Sequence, residues 1–159
     1  MSTVDRLNRW MYRGGRPNRL ARVLNRAGAT AYAKGLGPKR VATLEVRGRR
    51  TGRTVSLPVV VADLGGERYL VSMLGEDVNW VRNVRAAGGR AVLRHGRPED
   101  VRLVEVEPAA RAPVIRRYLD LAPGGRAHIP VDRRASVAEF EKVAPTIPVF
   151  RVTPAVPQP

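Results

Sequence analysis

The sequence predicts a closed, mostly antiparallel β-barrel with a few short helices. Six short segments alternate apolar and polar residues or form brief apolar runs, as strands of a half-buried sheet do. Short glycine-containing turns, such as residues 63–66, join several of these segments, and such turns connect antiparallel neighbours. Helical crossovers are few, which argues against a doubly wound parallel sheet. With 159 residues, the chain is long enough for one such domain.

The elements are predicted in the order helix, helix, three strands, helix, two strands, two helices and a last strand. Strands are expected at residues 41–47, 54–62, 68–74, 91–95, 101–106 and 147–152. Apolar residues at helical spacing, together with flanking Pro or Gly residues, predict helices within residues 4–13, 17–27, 77–87, 113–121 and 136–143.

Positive charge is concentrated at the N-terminal end. The chain has 29 Lys and Arg residues against 14 Asp and Glu, a net charge of +15, and 14 of those 29 fall in its first third beside only Asp5 and Glu45. We therefore separate a basic, amphipathic helical arm (1–40) from a barrel domain (41–153) and a disordered Pro-rich tail (154–159). The arm suits an anionic membrane surface, a partner subunit or the chain's own barrel.

The same composition bears on localisation and on nucleic-acid binding. No apolar run is long enough to span a membrane and no signal-peptide segment is present, so we expect a cytoplasmic protein. The arm is the part suited to contact the inner face of the membrane. A strongly basic chain is also a candidate for nucleic-acid binding. That alternative is disfavoured because only 5% of the residues are aromatic and no helix-turn-helix or RNA-recognition signature occurs.

Several kinds of active site are excluded by the residues present. The chain has no cysteine, and its two histidines, His95 and His128, lack the spacing of zinc or di-iron ligands, so we predict no metal site. No Walker A or Rossmann glycine pattern occurs, and no serine lies in a nucleophile elbow. If the protein is an enzyme, its redox or transfer chemistry is therefore expected to come from a bound organic cofactor.

The strongest local feature is the turn at residues 47–53, with the sequence RGRRTGR, between the first two predicted strands. Glycines at both ends of the turn permit unusual backbone angles, and exposed N–H groups in such a turn form an anion-binding concavity. Adjacent guanidinium groups add charge-assisted hydrogen bonds to phosphate. A hairpin tip with solvated arginines is the plainer alternative.

The second feature is the predicted helix that contains Asn79, Trp80 and Asn83. Trp80 and Asn83 share one helix face, and Asn79 lies one turn before Asn83. This face offers a flat apolar surface and amide groups to a ring system. A core tryptophan with a capping asparagine gives the same pattern.

Together these segments resemble the deazaflavin-dependent nitroreductase family, the coenzyme F420-dependent branch of the split β-barrel flavin-binding proteins. The resemblance covers residues 41–152. Its matching elements are the GRRTG turn at residues 48–52, Pro58 six residues later, Ser72 at the end of the third strand, Trp80-x-x-Asn83, and the final strand IPVFRV at residues 147–152.

The resemblance implies a six-stranded antiparallel split barrel of the FMN-binding, pyridoxamine-phosphate-oxidase-like type, mostly β with short helices, that forms a homodimer. It implies coenzyme F420 as the cofactor, with FMN the less favoured one. The coenzyme-binding residues implied are Arg49, Arg50, Thr51, Gly52, Pro58, Ser72, Met73, Asn79, Trp80 and Asn83. Ser72, His128 and Tyr118 are the residues expected to orient the acceptor or relay a proton.

The function implied is hydride transfer from reduced F420 to an electron-poor small molecule: a quinone, an activated C=C bond or a nitro compound. The alternatives are a nucleic-acid-binding protein and the same barrel with FMN or haem. Three positions depart from the family pattern. Val55 replaces a basic residue, Val60 replaces an aromatic one, and Tyr118 is the only tyrosine near the expected substrate pocket. The substrate of any one family member is therefore not transferred to this chain.

Overall fold

The structure is a computed structural model that describes residues 6, 10, 11, 22, 23, 25–28, 34 and 39–156. Most of the predicted arm (1–40) and the last three residues of the predicted tail lie outside this described part. In the part that is described, no helix is both long and apolar enough to cross a membrane.

Seven strands form one antiparallel sheet in the order β2-β1-β5-β6-β7-β4-β3. They are β1 Val41–Arg47, β2 Thr54–Val60, β3 Ala62–Leu64, β4 Glu67–Val71, β5 Arg90–His95, β6 Arg97–Glu105 and β7 Val149–Pro154. Only Val61 separates β2 from β3, so residues 54–64 form one bent strand. Its first half pairs with β1 and its second half pairs with β4. Counted in this way, six strands close on themselves, which confirms the predicted six-stranded split barrel.

Within residues 39–156, three α-helices lie outside the strands: α1 Asn79–Ala86, α2 Ala112–Leu121 and α3 Val137–Val143. Each agrees with a predicted helix. Short 3-10 turns at Pro108–Ala110, Pro123–Ala127 and Ala144–Thr146 surround α2 and α3. The alternation along β4 separates two cores, since Leu70 belongs to an inner cluster and Val71 to an outer one.

The two cores bury different helices. The inner cluster contains Leu44 and Phe150 of the barrel together with Val81 and Val84 of α1. The outer cluster is built mainly from α2, α3 and the strands that they cover, and it includes Phe140. Each such fully buried side chain stabilises the fold by about 1.5–3 kcal/mol. The barrel interior thus fixes α1, and α1 in turn fixes one wall of the site described below.

Several strand ends differ from the predicted ones: β4 ends at Val71 rather than at residue 74, and the start of β6 and the end of β7 also move. The turn before β6 consists of Gly96 alone, at a φ of +80°, so that His95 pairs directly with Arg97 and β6 begins four residues early. At the C-terminal end, Pro154 is the last residue of β7, and the Ala155 N–H donates to the Asp100 carbonyl oxygen (3.1 Å). The tail predicted at residues 154–159 therefore begins inside a paired strand.

Candidate functional site

The turn between β1 and β2 is closed by its own hydrogen bonds. The Gly48 N–H donates to the Arg53 carbonyl oxygen (2.8 Å), and the Gly52 N–H donates to the Gly48 carbonyl oxygen (2.9 Å). Gly52 has a φ of +70°, which favours glycine at this position. The Thr51 hydroxyl oxygen accepts a hydrogen bond from the Arg53 N–H (3.2 Å). The sequence therefore produces a tight, self-supported turn that carries arginines.

Helix α1 holds this turn through Arg49. The Asn83 side-chain oxygen Oδ1 accepts hydrogen bonds from the Arg49 backbone N–H (3.1 Å) and from Arg49 Nη1 (3.0 Å). Asn79 Oδ1, one helical turn earlier, accepts a longer bond from the same nitrogen (3.5 Å). Asn83 is only 4% exposed. The structure thus brings together three residues that the sequence analysis had placed in one site from two separate segments.

A concavity of about 760 Å³ lies beside the turn. Its walls are the turn, the C-terminal end of α1 and the first residue of β5. The lining residues are Arg47, Gly48, Arg49, Arg50, Thr51, Gly52, Ala86, Ala87 and Arg90. The four cofactor-binding residues predicted in the turn, from Arg49 to Gly52, all belong to this lining.

Arg90 is a lining residue that the sequence analysis missed. It follows the Gly88-Gly89 pair, which ends α1 and returns the chain to the sheet. Gly89 has a φ of +82°, and a Cβ atom there would lie 2.3 Å from the Leu103 carbonyl oxygen. Gly89 is therefore required for β5 to begin against β6. The sequence signal for Arg90 is the Gly88-Gly89 pair, which ends the predicted helix and indicates that the next residue lies near the helix end.

The concavity carries positive charge that the protein itself does not cancel. Among the described residues, no ion pair joins Arg47, Arg49, Arg50, Arg53 or Arg90 to a carboxylate. Guanidinium groups in this arrangement favour phosphate and carboxylate ligands, which accept two hydrogen bonds from each group. The charge and the donor groups of the concavity therefore suit an anionic ligand.

Arginines that join elements elsewhere are held differently. Arg85 of α1 donates to Glu105 of β6 through Nε (3.0 Å) and Nη2, and these hydrogen bonds hold the pKa of Glu105 below its ordinary value although burial opposes the shift. Other arginines with a carboxylate partner are Arg68 with Glu99, Arg82 with Asp77, Arg94 with Glu45, Arg117 with Asp63 and Arg133 with Asp120.

Arg111 is a buried residue of the same carboxylate-bound group. Its side chain is 5% exposed and lies 3.4 Å from Glu105 Oε1 through Nη2. Its Nε donates to the Val106 carbonyl oxygen (2.7 Å), and Nη1 donates to the Ala144 (3.2 Å) and Ile147 (3.3 Å) carbonyl oxygens. Arg111 thereby ties the start of α2 to the chain before β7. Nothing in the local sequence pattern marks it as buried.

Trp80 of α1 packs on the barrel core. Its ring lies 5.6 Å from the ring of Phe150, at an interplanar angle of 56°. It also contacts the inner apolar cluster and is half-buried. Trp80 therefore packs on the inner core. Its predicted contact with the coenzyme stays a prediction.

Pro58 lies in β2, and Ser72 and Met73 come directly after β4. None of the three lines the concavity beside the turn. Ser72 is buried, and its hydroxyl donates to the Gly75 carbonyl oxygen (2.6 Å). Pro58 is half-buried in β2, opposite Thr43 of β1. Met73 is half-buried against the outer cluster. The roles predicted for these residues toward the coenzyme or the acceptor stay predictions.

Tyr118 and His128 lie on the side of the outer cluster. Tyr118 of α2 is 5% exposed, and its ring packs so closely on Gly125 that a Cβ atom there would lie 2.6 Å from Tyr118 Cε1. His128 ends the 3-10 turn that contains Gly125. Neither residue belongs to the lining of the cationic concavity. The predicted site residues are therefore not all in one place: Arg49 to Gly52, Asn79 and Asn83 lie at the turn, Trp80 packs on the inner cluster, and Met73 and Tyr118 pack on the outer one.

A six-stranded split barrel with short helices is the fold of the split-barrel coenzyme-binding proteins, and here it carries a cationic turn beside a short helix. Within that class, the family model for F420H(2)-dependent quinone reductases matches residues 19–138, about three quarters of the sequence. The chain belongs to this family. The predicted coenzyme, F420, and the predicted class, oxidoreductase, are thereby confirmed.

Solved structures of similar fold are distant in sequence. A protein described as a domain-swapped dimer has a TM-score of 0.52 and 18% identity, over 85% of this chain and 94% of that one. An F420-H2 dependent reductase, FDR-A, has a TM-score of 0.50 and 19% identity, over 72% and 95%. A conserved hypothetical protein from Mycobacterium tuberculosis has a TM-score of 0.52 and 16% identity, over 80% of each chain. These likenesses concern the fold. No curated protein matches the sequence significantly.

Proposed function

We propose that this F420-dependent oxidoreductase reduces a quinone, with an activated C=C bond or a nitro group as the alternative acceptors. The observation that carries the proposal is a concavity lined by Arg47, Arg49 and Arg50 of the turn, none of which has a carboxylate partner among the described residues. The family description supports a quinone as the first acceptor to test.

The turn is proposed to bind the phosphate of the coenzyme. Arg49 and Arg50 donate charge-assisted hydrogen bonds, and Thr51 adds a hydroxyl group at the lip of the concavity. When bound, reduced F420 supplies the hydride, from its ring carbon C5. The quinone gains this hydride and one proton and becomes a hydroquinone, while the coenzyme is oxidised. Because the turn grips the coenzyme away from the reacting carbon, its binding energy serves to orient the ring.

The acceptor is proposed to lie on the side of Ser72, Tyr118 and His128. Ser72 is proposed to act by holding the loop at Gly75, since its hydroxyl already donates to that carbonyl oxygen. Tyr118 and His128 are proposed to orient the acceptor or to relay the proton. None of these residues needs to form a covalent bond to substrate, because the transfer is direct.

An anaerobic assay of reduced F420 oxidation tests the proposal. Menadione, cyclohexenone and a nitroaromatic compound are offered in turn to the purified protein, and the absorbance of oxidised F420 is followed. We expect the highest kcat/KM with menadione. The Arg50→Ala variant is expected to lose about tenfold or more in kcat/KM, which is the effect of removing one charge-assisted bond to phosphate.

Arg97→Ala is the matched control. Arg97 is an exposed arginine at the start of β6, where it pairs with His95 at the end of β5, and Arg90 lies at the other end of β5. It removes the same charge and is expected to retain the wild-type rate. Turnover of the nitro compound or the enone alone would reassign the acceptor. No turnover of any of the three acceptors would refute the proposal.

We also propose that the protein is a homodimer. The support is the resemblance of the sequence to a family of dimers and the similar fold of a protein described as a domain-swapped dimer. Light scattering coupled to size-exclusion chromatography is expected to give twice the chain mass of 17.5 kDa. A mass of one chain at micromolar concentration contradicts this proposal.

The basic arm (1–40) and the barrel domain (41–153) are proposed as separate functional segments, while the predicted tail (154–159) begins with the last residue of β7. The arm carries the excess of arginine and is proposed to contact an anionic membrane surface. Co-sedimentation with vesicles of phosphatidylglycerol, compared with neutral phosphatidylcholine vesicles, tests the contact. Equal recovery in both pellets contradicts it.

A further inference from the structure

Asn83 Oδ1 accepts two of the three hydrogen bonds that join α1 to the cationic turn in the described part of the chain. Asn83 Oδ1 accepts from the backbone N–H and from Nη1 of Arg49, at 3.1 and 3.0 Å. Arg49 and Asn83 are 34 residues apart in the chain. The two bonds fix both the backbone and the guanidinium of Arg49, so this arginine has one preferred placement relative to the concavity that it lines.

The oxygen of Asn83 is consumed by this contact. A carbonyl oxygen has two lone pairs, and Arg49 occupies both with two donors. Asn83 is also 4% exposed. A contact of this oxygen with a ligand would therefore require Arg49 to move, whereas Arg49 itself lines the concavity.

Asn83 is uncharged, whereas several other arginines of this protein bind a carboxylate. Arg68, Arg85 and Arg94 are each held by a glutamate across the sheet or between a helix and the sheet. A carboxylate holds a guanidinium firmly, but it also cancels the charge that an anionic ligand meets. An amide oxygen orients the guanidinium and leaves its full charge in place.

We propose that Asn83 is a positioning residue that fixes Arg49 toward the coenzyme phosphate, and that the site requires an uncharged residue at this position. The inference rests on the proposed function in one respect, namely that Arg49 meets the phosphate. It is an alternative to the expectation from the sequence that Asn83 itself binds the coenzyme, and the double-mutant cycle below distinguishes the two.

The first test compares Asn83→Asp with the wild type by titration with oxidised F420 and by thermal melting. The new carboxylate retains an acceptor for Arg49, so the melting temperature is expected to stay unchanged or to rise. The dissociation constant for F420 is expected to rise about tenfold, because the paired guanidinium loses its charge advantage. The salt dependence of binding is expected to become flatter, because one fewer net positive charge faces the phosphate.

Arg97→Ala is again the control for a loss of one positive charge elsewhere on the protein, and it is expected to change neither quantity. Wild-type affinity in Asn83→Asp overturns the proposal. A melting temperature that falls together with the affinity also overturns it, because the effect is then structural.

The second test is a double-mutant cycle between Asn83→Ala and Arg49→Ala, read as F420 affinity. If Asn83 acts through Arg49, then Asn83→Ala weakens binding several-fold in the wild type and less than about twofold in the Arg49→Ala background. Independent, additive losses mean that Asn83 contacts the coenzyme directly, and they overturn the proposal. Wild-type affinity in Arg49→Ala alone is a different failure, since it removes the phosphate assignment of the proposed function.

Discussion

Two groups of arginines in this protein have the same side chain and opposite uses. The arginines of the turn, Arg49 and Arg50, line a concavity without a carboxylate partner among the described residues. Arg85 and Arg111 instead both bind one carboxylate, that of Glu105 at the end of β6. The charge of the first group stays available for the proposed ligand, whereas the second group uses its charge to hold the fold together. Whether an arginine has a carboxylate partner, and not the number of arginines, therefore distinguishes the two groups.

The largest expected effect distinguishes the two groups by stability. Arg111→Met removes a buried cation and leaves the carbonyl oxygens that it bonded, such as those of Val106 and Ala144, without this donor. We expect a loss of about 3–5 kcal/mol in the free energy of unfolding, measured by urea denaturation. Arg50→Ala is expected to change it by less than about 0.5 kcal/mol, because Arg50 is exposed. Similar losses in both variants would abolish the distinction.

The second effect tests how the backbone places Arg90 at the concavity. Gly88 and Gly89 both have a positive φ, but only at Gly89 does an added Cβ meet backbone, the Leu103 carbonyl oxygen at 2.3 Å. Gly89→Ala is expected to cost about 2–4 kcal/mol in the free energy of unfolding and to lower F420 affinity.

Gly88→Ala is the matched control and is expected to cost about 1 kcal/mol, because nothing lies within 4 Å of its added Cβ. Equal destabilisation by the two variants, from urea denaturation, contradicts this account of the β5 start.

The smallest expected effect is a change in the free energy of unfolding at low pH. Hydrogen bonds from Arg85 lower the pKa of Glu105 from its ordinary value of 4.5. A carboxyl whose pKa is lowered by folding contributes stability that is fully present above pH 4.5 and is lost as the pH falls through the folded value. The free energy of unfolding is therefore expected to decline below pH 4.5, and less steeply in Glu105→Gln. An unchanged slope in this variant shows that other carboxyls govern the acid transition.

The barrel and the turn could be predicted because their signals are local. Period-two alternation marked the strands, and the spacing of Gly48 and Gly52 marked the turn. The contact between Arg49 and Asn83 could not be predicted in the same way, because nothing in either segment specifies a partner 34 residues away. The resemblance to a family placed both residues in one site, but it did not indicate that one holds the other.

The start of β6 shows a second limit of sequence reasoning. Pro98 lies in the interval between the predicted strands at residues 91–95 and 101–106, yet it pairs with Arg94 inside β6. Proline is tolerated there because β7 pairs with β6 only from Val101 onward, so β6 is an edge strand at Pro98. Which part of a strand is an edge depends on the whole sheet and is not visible in the local sequence.

The central claim is that the cations of the turn remain uncancelled in order to hold the coenzyme phosphate. Titration of wild type, Arg50→Ala and Arg97→Ala with F420, at low and at high salt, tests it most directly. We predict that Arg50→Ala binds about tenfold or more weakly at low salt, with a smaller salt dependence, and that Arg97→Ala binds like the wild type. Equal affinity of Arg50→Ala and Arg97→Ala at both salt concentrations would contradict the claim.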